Sequence, residues 1–167
     1  MGAKTALTVE EYLHTSFPDL DKEYWDGEIV ERSLPTDPHS LTQYLILRFF
    51  AGLPKSLRLF PRPELRVRLT PTLVLVPDVC VFHPSKPTEP APGSPPLVVI
   101  EILSPDDRPR AVREKFEKYR TWGVPYIWLA DPKLRRLQEF AGALKEVPTL
   151  RIPELGIELT PADAFDE

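Results

Sequence analysis

The sequence predicts an α/β (α+β) domain: a mixed β-sheet, antiparallel in its early part, flanked by helices. Three observations carry this. Leu97 to Leu103 is an apolar run interrupted only by Glu101, the pattern of a central strand buried on both faces. That strand is followed by a helical stretch from about Pro109 to Trp122 and by the strand-like "VPYIWLA", which together suggest one crossover between parallel strands. Upstream, "KEYWDGEIVERS" turns at Asp26–Gly27, a favoured two-residue hairpin pair, and so predicts antiparallel strands.

The elements follow in order. Thr8 and Glu11 form a capping box, so a short helix should run through about His14. "LPTDPHS" reads as a loop. Apolar residues at Leu41, Tyr44, Leu45 and Leu47 to Phe50 suit a buried helix over Ser40 to Ala51, which Gly52 can end. "LRLF" and "ELRVRLT" look like strands, and in the second Leu65, Val67 and Leu69 alternate with Arg66 and Arg68. Leu73 to Phe82 is nearly continuous in apolar character, while "HPSKPTEPAPGSPP" holds too much proline for either element. Proline suits the first turn of the helix at Pro109, and Gly123 suits its C-terminal cap. "VPYIWLADPKLRRLQEFA" reads as strand, Asp-Pro turn, strand. The tail offers one or two short edge strands and a last helical turn. With no repeat and no break in composition, residues 1–167 are expected to form a single domain.

The 167 residues, 42% hydrophobic and 28% charged, suffice for a real core and match an ordinary globular chain. No apolar run approaches the length of a membrane span. "MGAKTALTVEEYL" lacks the apolar centre of a signal peptide. One cysteine, Cys80, permits neither an internal disulfide nor a thiolate zinc cluster, and the default location is cytoplasmic. The 21 prolines, with no asparagine and single Cys and Met residues, suggest a thermophilic source.

A net charge of −4 argues against a broadly basic nucleic-acid coat. The charge is uneven, however. Lys55, Arg58, Arg62, Arg66 and Arg68 face one acid, Glu64, in their stretch. Arg108, Arg110, Arg113, Lys115, Lys118 and Arg120 face only Glu114 and Glu117 in theirs. Such patches suit phosphate contacts, or simply a solvated charged face.

Two carboxylates sit where apolar residues would be safer: Asp78 in "VPDVCVF" and Glu101 in "LVVIEILS". A buried carboxylate without a partner costs several kcal/mol, so these acids need a cation, a metal or a set of donors. Strand alternation puts Asp78 on one face with Val76 and Cys80, and Glu101 with Val99 and Leu103. On neighbouring strands the two carboxylates can converge on a hard cation such as Mg²⁺, which takes one or two protein carboxylates. In the following helix Val112, Phe116 and Tyr119 form the sheet-facing stripe, and Lys115 flanks it within reach of Glu101. Two acids, a lysine and a metal suit phosphodiester cleavage. The alternatives are structural: Asp78 capping a bulge at Pro77, Glu101 pairing with an arginine of "LRVRL", and Lys115 on the open surface.

"VPDVCVF", "LVVIEILSP" and "REKFEKYRTWGVPYIWLADP" together resemble a widespread bacterial restriction-endonuclease family (Uma-type) of the PD-(D/E)XK nuclease superfamily. The likeness extends upstream to "YWDGEIVERS" and "PHS" and downstream to "LGIELTPADAF", nearly the whole chain. It implies a restriction-endonuclease-like fold and Mg²⁺- or Mn²⁺-dependent cleavage of DNA. Because cutting both strands needs two active sites or a re-binding step, and two-fold dimers are the commonest oligomers, a homodimer is expected. Asp78 matches the Asp of the PD motif and Glu101 the acid of (D/E)XK. Leu103 stands where the usual lysine would, and Lys115 matches a lysine that has migrated to the next helix. Glu28 matches an upstream acid that completes the metal-binding cluster. His39 matches a recurring histidine before the second helix, and Tyr119 is a further auxiliary candidate. Arg66, Arg68, Arg108 and Arg110 are the candidate DNA contacts. Where relatives often carry Asp, this chain has Ala111. The alternative is a non-catalytic nuclease-fold module that binds nucleic acid or a protein partner.

Overall fold

The computed structural model describes residues 6–167. The signal-peptide and single-domain expectations extend also over residues 1–5, which lie outside the described residues. The helix α1 (Val9–Leu13) opens the described chain, with both halves of the Thr8–Glu11 capping box made. The strands β1 (Glu23–Trp25) and β2 (Glu28–Val30) form the hairpin, and Asp26 and Gly27 take positive φ of 49° and 95°. That is the backbone an Asp-Gly turn supplies with little strain.

The helix α2 (Asp37–Gly52) begins a turn earlier than its apolar pattern suggests. Thr36 caps it, accepting from the His39 N–H, and Pro38 sits in the first turn, where its missing donor costs nothing. Half of "LPTDPHS" is therefore helix, and His39 is a helical residue rather than a loop residue.

The strands β3 (Phe60–Pro63), β4 (Val67–Thr70), β5 (Leu73–Leu75) and β6 (Val79–Phe82) follow. The apolar run Leu73–Phe82 is thus two strands, broken where Pro77 removes a ladder donor. The break sends β5 into one sheet and β6 into another. The remaining elements are β7 (Val98–Ile102), α3 (Pro109–Trp122), β8 (Tyr126–Asp131), β9 (Arg136–Phe140), β10 (Leu144–Val147), β11 (Leu150–Ile152), β12 (Ile157–Leu159) and α4 (Pro161–Phe165). Gly123 closes α3 with φ of 107°, which only glycine adopts freely.

The fold is mixed α+β, with several sheets flanked by helices. A six-stranded sheet has the order β10-β9-β8-β7-β6-β3; a four-stranded sheet runs β2-β1-β5-β4, and β11-β12 is a ribbon. The β7–β8 pair is parallel and spans the helix α3, while β6–β7 and β8–β9 are antiparallel. Every residue of β7 is buried because both faces of the six-stranded sheet are covered. On one face Val79, Val81, Ile100 and Trp128 pack against Ile46 and Phe50 of α2 and Phe165 of α4. On the other, Cys80, Val99 and Leu129 meet Phe116 and Tyr119 of α3 and Val67, Leu73 and Leu75 of the four-stranded sheet. Alternation puts Asp78 and Glu101 on this second face, where α3 and the smaller sheet enclose them. No helix among the described residues is long and apolar enough to cross a membrane.

Candidate active site

The register of β6 on β7 sets Val79 opposite Ile100 and Cys80 opposite Val99. One residue further along, the same register sets Asp78 opposite Glu101. Both carboxylates are buried and line one cleft of about 470 Å³. The cleft is also lined by Glu23, Trp25, Arg32, His39, Asp106, Asp107, Arg108, Ala111 and Lys115.

Asp78 is held firmly by its own backbone. Its carbonyl accepts from Gln43 Nε2 at 2.9 Å and from the Glu64 N–H at 3.3 Å. Its Oδ2 accepts from the Ile102 N–H at 2.7 Å, so a side-chain oxygen serves as the acceptor just before β6 begins. Its Oδ1 meets Arg32 Nη2 at 3.1 Å and His39 Nε2 at 3.4 Å. Burial alone would raise this carboxyl's pKa. His39, with Lys115 and Arg32 behind it, more than offsets that and holds it below the usual carboxylate value. Asp78 in turn raises the pKa of His39, against burial.

Glu101 is poised the other way. Burial, helped by the charges of Asp78 and Glu23, lifts its carboxyl from 4.5 to about 8, although Lys115 pulls it down. Lys115 Nζ lies 2.8 Å from Glu101 Oε1, and the Tyr119 hydroxyl donates to the same oxygen at 2.7 Å. Lys115 stays an ammonium: burial opposes its charge, but Glu101, Glu23 and Asp78 together raise its pKa above the ordinary lysine value. Tyr119 likewise stays protonated, through burial and then the neighbouring acids. Lys115 and Tyr119, four apart on α3, thus approach one oxygen from one helix face.

The structure brings Asp78, Glu101, Lys115, His39 and Tyr119 together. It does not bring Glu28. Glu28 opens β2, the edge strand of its sheet, where it is exposed and outside the cleft lining. The acid that enters the cleft is Glu23, on the inner strand β1. Its Oε1 accepts from the Val76 N–H at 3.0 Å and lies 2.6 Å from Lys115 Nζ, and its Oε2 accepts from Trp25 Nε1 at 3.2 Å. Glu23 and Trp25 alternate onto one face of β1, a signal readable in "KEYWDGE" once the hairpin is placed.

Arg32 is the other residue the sequence pattern did not pick out. It lies in the irregular stretch between β2 and α2, so no periodicity marks it. Its side chain is 9% exposed and bridges Asp78 to Glu64 at the rim, with Glu64 Oε1 at 3.3 Å from Nη1.

Among the arginines expected to meet DNA, Arg108 lines the cleft and Arg110 is exposed at the start of α3. Arg66 and Arg68 do neither. Arg66 turns away to Asp21 and the carbonyls of Tyr12 and Thr15, and Arg68 pairs with Glu10. Both are spent on the N-terminal segment, because Arg66, just before β4, and Arg68, within it, alternate onto the face of the smaller sheet opposite Val67.

The sequence matches the Uma2 family, described as "putative restriction endonuclease", over residues 9–166. The chain belongs to the Uma2 family. The fold is similar to a crystal structure described as a "putative nuclease belonging to DUF820" from Anabaena variabilis. The TM-score is 0.78 at 24% identity, covering 95% of this chain and 97% of that one. Among curated proteins none matches significantly.

Asp78 and Glu101 offer hard oxygen donors, which suit Mg²⁺ or Mn²⁺ in kind. Both protein bonds to Glu101 fall on Oε1, and Asp78 Oδ1 has no backbone donor. The expected acidic triad is not formed. Among the described residues, no three His, Cys, Asp or Glu side chains gather closely enough to hold a metal by themselves. Two carboxylates still fit Mg²⁺, which keeps several waters and takes substrate oxygens for the rest.

Proposed function

We propose that this protein is a metal-dependent endonuclease hydrolysing phosphodiester bonds in DNA, with Asp78 and Glu101 holding Mg²⁺ or Mn²⁺ in the cleft. One observation carries the reading. Two buried carboxylates, opposite one another on adjacent strands, line a single cleft with a lysine 2.8 Å from one of them. Membership of the Uma2 family supports it.

When bound, the metal would polarise the phosphate and make a coordinated water a better nucleophile. The chain's own residues do the rest. Asp78 is fixed by Ile102, Gln43 and Glu64, and its Oδ1 faces the cleft beside Arg32 and His39. Glu101 must lose its proton to serve as a ligand, and Lys115 and Tyr119 steady the ionised form. Lys115, held as an ammonium, is suited to meet charge developing on the phosphate rather than to act as a base. Glu23 anchors Lys115 from the other side. Arg108, at the mouth of the cleft, and exposed Arg110 would take backbone phosphates. Cutting both strands calls for two such sites or rebinding, and we take a cytoplasmic homodimer as the working form.

A second reading has its own support. Each buried acid of the cleft, Glu23, Asp78 and Glu101, already has a protein partner, as in a nuclease fold kept only for binding. The two readings separate on purified protein, supercoiled plasmid and Mg²⁺ or Mn²⁺, with E101Q and K115M as controls. Metal-dependent nicking by wild type and none by either variant supports the enzyme. DNA binding without cleavage under all metals supports the binding module.

A further inference from the structure

Arg32 occupies the oxygen of Asp78 that a metal needs, and shares it with His39 Nε2, which is farther off at 3.4 Å. Asp78 Oδ2 is committed to the Ile102 N–H at 2.7 Å, so Oδ1 is the oxygen left for an ion. Arg32 Nη2 stands 3.1 Å from that oxygen, with its side chain only 9% exposed. A guanidinium there repels an arriving dication over the same few ångströms at which it attracts the carboxylate. Lys115 raises no such conflict at Asp78, being bound to Glu101 and Glu23. Arg32 also has somewhere to go. Its other terminal nitrogen already reaches Glu64, whose side chain is 39% exposed at the rim. Its backbone lies outside any strand or helix, so the side chain can re-aim without breaking a ladder bond.

We propose that Arg32 is a built-in competitor for the metal position: it neutralises Asp78 in the resting protein and must swing toward Glu64 before a divalent cation can bind. The inference rests on the metal-site reading above. It gives the buried Asp78 carboxylate a counter-charge within the protein, at the oxygen where a dication would otherwise supply one. It also makes metal binding weak in the free protein, and makes metal and DNA help one another. Once displaced, Arg32 stands at the rim beside Glu64, where a phosphate can meet its guanidinium, and linkage requires each ligand to favour the other.

The test is calorimetric titration of Mn²⁺ alone into the full-length protein, without DNA and without any activity readout. R32Q keeps N–H donors for Asp78 and loses the charge; R32M loses both; R32K keeps the charge. The expected result is Mn²⁺ binding at least tenfold tighter in R32Q and R32M, near wild-type affinity in R32K, and loss of binding when D78N is added. Should R32M fold poorly, Mn²⁺ should raise its melting temperature more than that of wild type, because a ligand stabilises in proportion to its affinity. Unchanged or weaker Mn²⁺ affinity in R32Q, still lost in D78N, overturns the competitor role and leaves the metal site standing. Absence of D78N-sensitive Mn²⁺ binding in both wild type and R32Q overturns the metal site itself, and this proposal with it.

Discussion

Arg66 and Arg32 are both largely withdrawn from solvent, and they are built differently. Arg66 is saturated. Its Nε and Nη2 grip both oxygens of Asp21 at 2.8 and 2.7 Å, Nη1 and Nη2 donate to the carbonyls of Tyr12 and Thr15, and the guanidinium lies 4.3 Å over the Tyr12 ring. Such a bidentate, stacked pair is about as good as an arginine contact becomes. Arg32 has one contact to each of two carboxylates, at 3.1 and 3.3 Å, beside a cleft. The first holds the N-terminal segment onto β4. The second holds a charge balance that something else can take over. Burial of a charge is therefore not the mark of a site; incomplete satisfaction next to open space is.

The largest expected contrast is between chemistry and stability. E101Q should lower metal-dependent cleavage by about 10³-fold, since it removes a ligand and a charge where the transition state needs them. Its melting temperature should stay within a few degrees. R66M should do the reverse, costing roughly 2–3 kcal/mol of stability while cleavage per folded molecule is kept. At this chain length that is about 5–10 °C of melting temperature. Parallel cleavage assays and thermal melts on the two variants check both halves.

The pH response should also divide the regions. Glu101 is raised from 4.5 to about 8 in the folded protein, so the folded state binds the extra proton between those values. That contribution to stability is full below pH 4.5 and is lost as pH rises toward 8. Asp78, shifted downward, acts oppositely at the acid end: its contribution is present above the ordinary carboxylate range and lost as pH falls. Metal binding should strengthen by up to tenfold per pH unit between about 6 and 8, with release of up to one proton, because the ligand must ionise. Calorimetry in two buffers of different ionisation enthalpy measures that proton. E101Q should abolish both effects, while R66M should leave them unchanged.

The smallest contrast concerns surface arginines. R108Q and R110Q should each weaken DNA binding a few-fold and lower the salt slope by about one. R68Q, whose guanidinium is paired with Glu10, should change neither. A salt series of binding isotherms checks this.

Much of this frame was legible in the residues. The Thr8–Glu11 cap, the Asp26–Gly27 turn, the buried strand around Glu101, the Pro109–Gly123 helix and the parallel return at Tyr126 each depend on local chemistry that the tertiary fold left alone. So did the stripe that aims Lys115 and Tyr119 at the sheet. What stayed hidden depended on partners distant in sequence. Leu73–Phe82 looks like one strand because both halves are apolar; only Pro77 marks the step between sheets. Glu28 and Glu23 lie on the same hairpin face, and what separates them is that β2 is an edge strand and β1 an inner one. Arg66 and Arg32 look alike in a sequence. Their difference lies in Asp21, Tyr12 and Asp78, and Asp78 is 46 residues from Arg32.

The most direct measurement is a crystal of the full chain soaked in Mn²⁺, read by anomalous diffraction. The expected result is one strong peak between Asp78 Oδ1 and a Glu101 oxygen, at roughly 2.1 Å from each, with the Arg32 guanidinium moved outward to Glu64. An absent peak there, or Mn²⁺ bound only elsewhere with Arg32 still on Asp78, would contradict it.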